Sequence, residues 1–203
     1  MAVIVVSRSF ASGGRELGRL LARRLGYHYI GKSLFQKVAQ DLHVSEGTLE
    51  SFEQGREYRV SNLFSNLFSK NYIQRIVGHD KTVVEETEYQ ESLRKLILGV
   101  AKEDGAVIIG RGAHYFLRDR KNCFRFRLVA PIEWRKRYAV EKLGLSQAQA
   151  KKELNRRDKN QAWFHRLICG EGYDDPLLFN LILNMGLVSV DKAVSIVLSV
   201  VEK

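Results

Sequence analysis

The feature that most constrains this chain lies near its start. Val3-Ile4-Val5-Val6 is a short β-branched run, and Ser7-Arg8-Ser9-Phe10-Ala11-Ser12-Gly13-Gly14-Arg15-Glu16-Leu17-Gly18 follows it directly. The pattern predicts a buried strand, a glycine-containing turn and an amphipathic helix whose Leu17, Leu20, Leu21 and Leu25 share one face. A strand that turns through small residues into a helix aims backbone N–H groups at one point, at the positive end of the helix dipole. That is the outline of a phosphate cradle. Loops of this kind read G-x-x-x-x-G-K-[ST]. With Ser9 placed at the first glycine and Gly13 at the second, Gly14 stands where the lysine belongs, and Arg15 comes next.

Further runs of strand type are Ala106–Ile109, which ends at Gly110-Arg111-Gly112, Phe124–Val129 and Leu181–Leu183, with Tyr27–Ile30 a short fifth. Arg125 and Arg127 alternate with apolar residues, which predicts a partly wet face or a place near a sheet edge. Helical patterns fill the gaps: Arg15 to Leu25 before Gly26, Ile132 to Leu143 after Pro131, a capped helix from Ser146 towards Arg166, and a closing helix with a valine stripe from Val190 to Val201. Strands separated by helices imply βαβ units and a doubly wound α/β fold with a parallel sheet. Between about 34 and 98 no buried strand is legible. That stretch reads as helices, among them the near-repeat from Ser61 to Phe68.

Charge points to anionic company. The chain of 203 residues carries a formal net charge of +10, with basic clusters at 111–137 and 151–166. Cys123 and Cys169 make no disulfide framework and no zinc spacing, so both are expected to be inert thiols. His28, His43, His79, His114 and His165 are scattered, Glu85-Glu86 and Asp174-Asp175 are adjacent acids that point apart, and Tyr173-Asp174-Asp175-Pro176 reads as a turn. The longest apolar run, Val194–Val201, is far below a membrane span, and the chain opens straight into a strand. A cytoplasmic protein with no membrane partner is the expectation.

With the loop, the Gly-Arg-Gly after a strand and the basic late helix in hand, the chain resembles the cytidylate kinase-like family, a branch of the P-loop nucleoside monophosphate kinases. Ser7–Gly18, Val107–Ala113 and Arg156-Arg157-Asp158-Lys159 with the later Gly186 carry the resemblance, which is weakest between about 50 and 89. It implies one three-layer P-loop kinase domain over 1–203: a parallel-sheet core at about 1–33, 95–145 and 173–203, a helical acceptor-binding insertion at about 34–94 and a lid at about 146–172. It implies ATP and Mg²⁺ as cofactors and nucleotides as partners. Ser12, Gly13, Gly14, Arg15 and Glu16 match the cofactor loop, Lys37 the position that touches the acceptor phosphate, Arg111 the Gly-Arg-Asp pattern, and Arg156, Arg157 and Asp158 the lid's Arg-Arg-Asp. Arg15, Arg156 and Arg157 become the catalytic candidates and Lys37, Arg111 and Asp158 the substrate-binding ones.

The departures narrow this expectation. Gly14 replaces the lysine, Glu16 the magnesium-binding Ser/Thr in that alignment, Gly112 the aspartate that helps read cytosine, and Lys32 a small Ser/Thr. No metal ligands are assigned, although Asp158 and Asp175 are available carboxylates. Arg15 is the expected stand-in for the lysine. On one face of the late helix Arg156, Lys159 and Arg166 recur, with Trp163 either stacking on a base or packing as core. The leading expectation is ATP-dependent phosphoryl transfer to a nucleoside monophosphate, CMP or dCMP by resemblance. The alternatives are a weakly active or inactive nucleotide- or nucleic-acid-binding protein on the same fold, and a kinase for another small acceptor.

Overall fold

A computed structural model describes residues 1–31, 36–37, 40, 43, 45–46, 86–173 and 175–202. The strands are β1 (Val3–Arg8), β2 (His28–Ile30), β3 (Ala106–Ile109), β4 (Cys123–Val129) and β5 (Leu181–Asn184). The helices are α1 (Gly14–Leu25), α2 (Glu86–Lys102), α3 (Ala113–Phe116), α4 (Ile132–Leu143), α5 (Gln147–Cys169) and α6 (Val190–Val201), with a 3₁₀ turn at Pro176–Leu178. All five strands are parallel in the order β2-β3-β1-β4-β5.

Side-chain alternation along β1 builds both halves of the core. Val3 and Val5 face Tyr89, Leu93, Ile97 and Ala101 of α2 together with Phe164, Ile168 and Cys169 of α5. Ile4 and Val6 face Leu17 and Leu21 of α1 and Ala193, Val194 and Val197 of α6. Each of the four β1 residues is fully buried, which is why the run is apolar without interruption. A smaller cluster joins Ala11 of the loop after β1 to Ala139 of α4 and Ala150 and Leu154 of α5. The chain leaves β1 towards β2 and β3 on one side and later builds β4 and β5 on the other. The carboxyl end of β1 therefore sits at a switch point, where open α/β sheets bind ligands.

The helix signals hold in detail. Gly26 closes α1 in the left-handed region at φ 68. Ser146 and Gln149 form a reciprocal capping box, the Ser146 hydroxyl accepting from Gln149 N and the Gln149 carbonyl from Ser146 N. Past Arg166, α5 runs on to Cys169, because Ile168 and Cys169 are buried against the sheet. Trp163 is half-buried and packs on the same cluster, as a core residue would.

β4 lies next to the edge strand β5, and its Arg125 and Arg127 are half-buried, as the alternation predicts. The Arg127 guanidinium lies 5.7 Å from the Phe179 ring. The boundary between insertion and core at residue 94 falls inside α2, whose Tyr89 and Leu93 are fully buried in the core. Most of the insertion at 34–94 lies outside the described residues, as do Lys32, the Ser61–Phe68 repeat, Glu85 and Asp174.

His114 and His165 share a buried aromatic cluster with Phe179 and Tyr173, their rings 5.5 Å apart. Burial, with Arg127 and Arg125 nearby, lowers the pKa of His114 from 6.5 to about 4, and burial, with His114 and Arg127 nearby, lowers that of His165 to about 3. Both are neutral when folded and take up protons when unfolded. Stability is therefore full above pH 6.5 and falls as the pH drops towards the folded values, by up to about 1.4 kcal/mol per pH unit for each histidine. Urea titrations between pH 7 and 4 should show this slope, and His165→Phe should roughly halve it.

Candidate phosphate-binding site

The loop after β1 is held from below by β4. Ser9 N donates to Leu128 O at 3.0 Å, and the Ser12 hydroxyl donates to Ser9 O at 2.9 Å and approaches Leu128 O at 3.4 Å. Ser12 is buried, so its hydroxyl braces the loop. Ala11 at φ 59 and Gly13 at φ 79 supply two left-handed turns. Gly13 caps α1, with Leu17 N donating to Gly13 O at 3.0 Å. The amides of Gly14, Arg15 and Glu16 consequently have no acceptor within the helix, and among the described residues no side chain caps them. They form the anion-binding end of α1.

The cap also corrects the register of the motif. Four residues separate Gly13 from Arg8, so Arg8 and not Ser9 occupies the first glycine position. Arg15 then takes the Ser/Thr position in place of Glu16, while Gly14 remains at the lysine. A Cβ on Gly14 would lie 2.9 Å from both Cβ and Cγ of Arg8, so the stem of Arg8 occupies the space beside it. The Arg8 guanidinium ends against Gly110, at the turn that closes β3. Burial, with Arg15 and Arg157 nearby, lowers its pKa to about 10.

The turn beside it is unusual. Gly110, Arg111 and Gly112 have φ values of 68, 58 and 68. Arg111 is half-buried there. At Gly112 a Cβ would meet Ile168 Cγ2 of α5 at 2.5 Å, which explains why no aspartate stands at this position.

Three contacts lace α5 to the loop. Gln161 Nε2 donates to Arg8 O at 2.8 Å. The Arg157 guanidinium lies 5.6 Å from the Phe10 ring. Asp158 accepts two bonds from Arg135 of α4, at 2.8 and 2.9 Å, and Arg135 also reaches Phe10 O at 3.4 Å. Asp158 thus acts as an anchor. Arg156 turns along its own helix to Glu153, at 3.0 and 2.8 Å, and Arg157 Nε also reaches Glu153 at 3.3 Å. These bonds hold the Glu153 carboxyl below its usual range. A cleft of about 170 Å³ opens beside these residues, lined by Ser9, Arg127, Asp158, Gln161, Ala162 and Tyr173.

Of the sequence candidates, Ser12, Gly13, Gly14, Arg15, Arg157 and Asp158 converge on the loop. Arg111 sits one turn away, and Arg156 is committed to Glu153. Lys37 is exposed, and Val38 and Ala39 after it lie outside the described residues. Glu16 accepts the Tyr138 hydroxyl at 3.1 Å, and burial with that carboxylate pushes Tyr138 up to about 12. Asp175 accepts from Leu177 N and caps the 3₁₀ turn. Among the described residues no three His, Cys, Asp or Glu side chains gather to hold a metal ion. Burial pushes Cys123 up to about 11 and Cys169 to about 12, as expected of inert thiols. Arg8, Gln161 and Arg135 were missed by sequence reasoning. The correct register would have found Arg8. Arg135 had no local signal, because its partner is 23 residues further on.

Two substitutions separate anchor from site. Asp158→Ala leaves the buried Arg135 unpaired and should lower stability by about 1–2 kcal/mol, less than for a fully enclosed pair because Asp158 is 39% exposed. Gly112→Ala should cost about 2–4 kcal/mol from the positive φ and the contact with Ile168. Chemical denaturation of both variants checks these values.

Comparison with solved structures finds this fold in proteins of distant sequence, two shikimate kinases among them. An uncharacterized protein from Eubacterium ventriosum superposes with a TM-score of 0.71 at 18% identity, covering 100% of this chain and 99% of that one. Shikimate kinase from Bacteroides thetaiotaomicron gives 0.52 at 14% identity over 100% and 99% of the two chains. The Acinetobacter baumannii shikimate kinase in complex with shikimate gives 0.52 at 10% identity over 100% and 93%. At such identities the likeness is one of fold. A comparison with curated protein sequences gave no match. No helix among the described residues is long and apolar enough to cross a membrane. The family model described as "Cytidylate kinase-like family" matches residues 3–187. Kinase-type phosphoryl transfer is the chemistry that this match and the fold support, and the chain belongs to the cytidylate kinase-like family.

Proposed function

We propose that the protein catalyses ATP-dependent phosphoryl transfer to a nucleoside monophosphate, with CMP or dCMP as the favoured acceptor. The observation that carries this reading is the loop at the end of β1. The amides of Gly14, Arg15 and Glu16 have no acceptor within α1, Arg15 and Arg157 are charged neighbours of Arg8, and no carboxylate pairs with Arg8 or Arg15 among the described residues. In the reaction the bond from the γ-phosphorus to the bridging oxygen of ADP breaks as a bond to an acceptor phosphate oxygen forms. Such a transfer needs positioning and positive charge more than covalent chemistry. Guanidinium groups supply both, because their donors form a planar fork and keep their proton.

Support for the acceptor comes from the family alone. Gly112 offers no side chain to read a cytosine ring, and Arg111 is the remaining polar residue of that turn. The family usually works with a metal ion, but the described side chains do not fit one: Asp158 and Asp175 are engaged, and Glu16 is held by Tyr138. No role is therefore assigned to a protein-bound metal.

Incubating the protein with Mg-ATP and each common nucleoside monophosphate, alongside shikimate and other small hydroxyl acceptors, and measuring ADP release tests the proposal. CMP and dCMP should give the highest rates. Release only with a hydroxyl acceptor would replace the acceptor. No release with any of them, together with salt-sensitive RNA binding, would favour a binding protein instead. Arg15→Ala should reduce turnover by at least about tenfold with the fold intact, as loss of a charge-assisted contact to phosphate would.

A further inference from the structure

Position 14 and position 8 exclude each other's side chains. The Arg8 stem runs beside Gly14, where a Cβ would lie 2.9 Å from two of its carbons and 3.4 Å from a third. A lysine at 14 and an arginine at 8 cannot both be accommodated as the loop stands. The usual pattern has glycine first and lysine seventh; this chain has arginine first and glycine seventh. The two residues have exchanged roles across one gap.

The surroundings of Arg8 show what the exchange delivers. Its guanidinium lies between the first turn of α1 and the Gly110 turn, where any side chain at Gly110 would collide with it. Its charged neighbours include Arg15 and Arg157, both of which oppose its protonation, and among the described residues Tyr29 is the group that favours it. No carboxylate pairs with it among the described residues. Arg8 is half-buried, and a cation partly withdrawn from water beside two like charges is costly unless an anion joins it. Gln161 holds the Arg8 backbone carbonyl, so the strand end carrying this charge is itself fixed.

We infer that Arg8 binds the terminal phosphates of a nucleoside triphosphate from beneath the loop, in the role that a lysine at position 14 has in the usual pattern. This rests on the nucleotide-kinase reading for the identity of the ligand. Arg15, exposed at the start of α1, then closes on the same anion from the solvent side.

Calorimetric binding of ATP and of inorganic tripolyphosphate, with thermal unfolding of the ligand-free proteins, tests the inference. Arg8→Met keeps an apolar stem beside Gly14 and removes the charge. It should weaken binding of both probes by at least about tenfold, the loss expected of a charge-assisted contact, without lowering the thermal midpoint of the free protein. Gly14→Lys alone should unfold at a lower temperature and bind poorly, whereas Arg8→Gly combined with Gly14→Lys should recover affinity to within about threefold of the native protein. Native affinity in Arg8→Met, or a lower thermal midpoint with unchanged affinity, would overturn the role of Arg8 while leaving the kinase reading in place. Binding that depends on Arg8, without phosphoryl transfer to any acceptor, would overturn the kinase reading and leave Arg8 as the anion ligand. A native protein that binds neither probe would overturn both.

Discussion

The Leu128 carbonyl, at the end of β4, is the point on which the site depends. It accepts the Ser9 amide at 3.0 Å and lies 3.4 Å from the Ser12 hydroxyl, so the first and last parts of the loop hang on one acceptor in the neighbouring strand. With those points fixed, Ala11 and Gly13 must take left-handed angles for the chain to turn back into α1. An alanine in that region is strained by about 1 kcal/mol or more, and Ala11 tolerates it inside a packed cluster with Ala139, Ala150 and Leu154. The strain, the packing and the exposed amides of α1 are parts of one arrangement.

That packing also limits what α5 can do as a lid. The resemblance implies an arginine-bearing lid at about 146–172, and there the helix is continuous from Gln147 to Cys169, with its last two turns in the core. Its middle is tied to the loop by Gln161, by Arg157 over Phe10 and by Asp158 through Arg135. The buried Arg135 reads the Phe10 carbonyl and the Asp158 carboxylate at once, so α4, α5 and the loop share a single fork of donors. In this geometry Arg157 lies over Phe10 of the loop, and Arg156 and Arg157 share the Glu153 carboxylate of their own helix.

Local patterns were legible wherever the signal was local. The helix from Ile132 to Leu143 has the bounds read from the sequence, the capping box at Ser146 is complete, and the strand runs extend by no more than two residues at an end. What failed to show was set by contacts distant in the chain. The alternation Phe124-Arg125-Phe126-Arg127 announced a partly wet strand near the sheet edge, but not Phe179, far along the chain, whose ring lies 5.7 Å from the Arg127 guanidinium. Nothing near residue 112 announces Ile168, whose packing forbids a side chain there. Arg8 was hidden differently. One residue of register moved the loop's first position onto Ser9, and the arginine that fills the missing lysine's space passed as the end of a strand.

An arginine beneath the loop differs physically from a lysine on its rim. A lysine at the first turn of a helix opposes the dipole and reaches for phosphate with four rotatable bonds, whose ordering is charged to binding. Arg8 has its stem packed beside Gly14 and its head against Gly110 before any ligand arrives, so most of that ordering occurs during folding. The cost moves into the free protein as repulsion among Arg8, Arg15 and Arg157, which an anion relieves. Repulsion relieved on binding adds to affinity only when the charges cannot relax apart. Here Gln161 fixes the Arg8 backbone and Phe10 holds Arg157, so the contacts between α5 and the loop keep the cationic cluster assembled for its ligand.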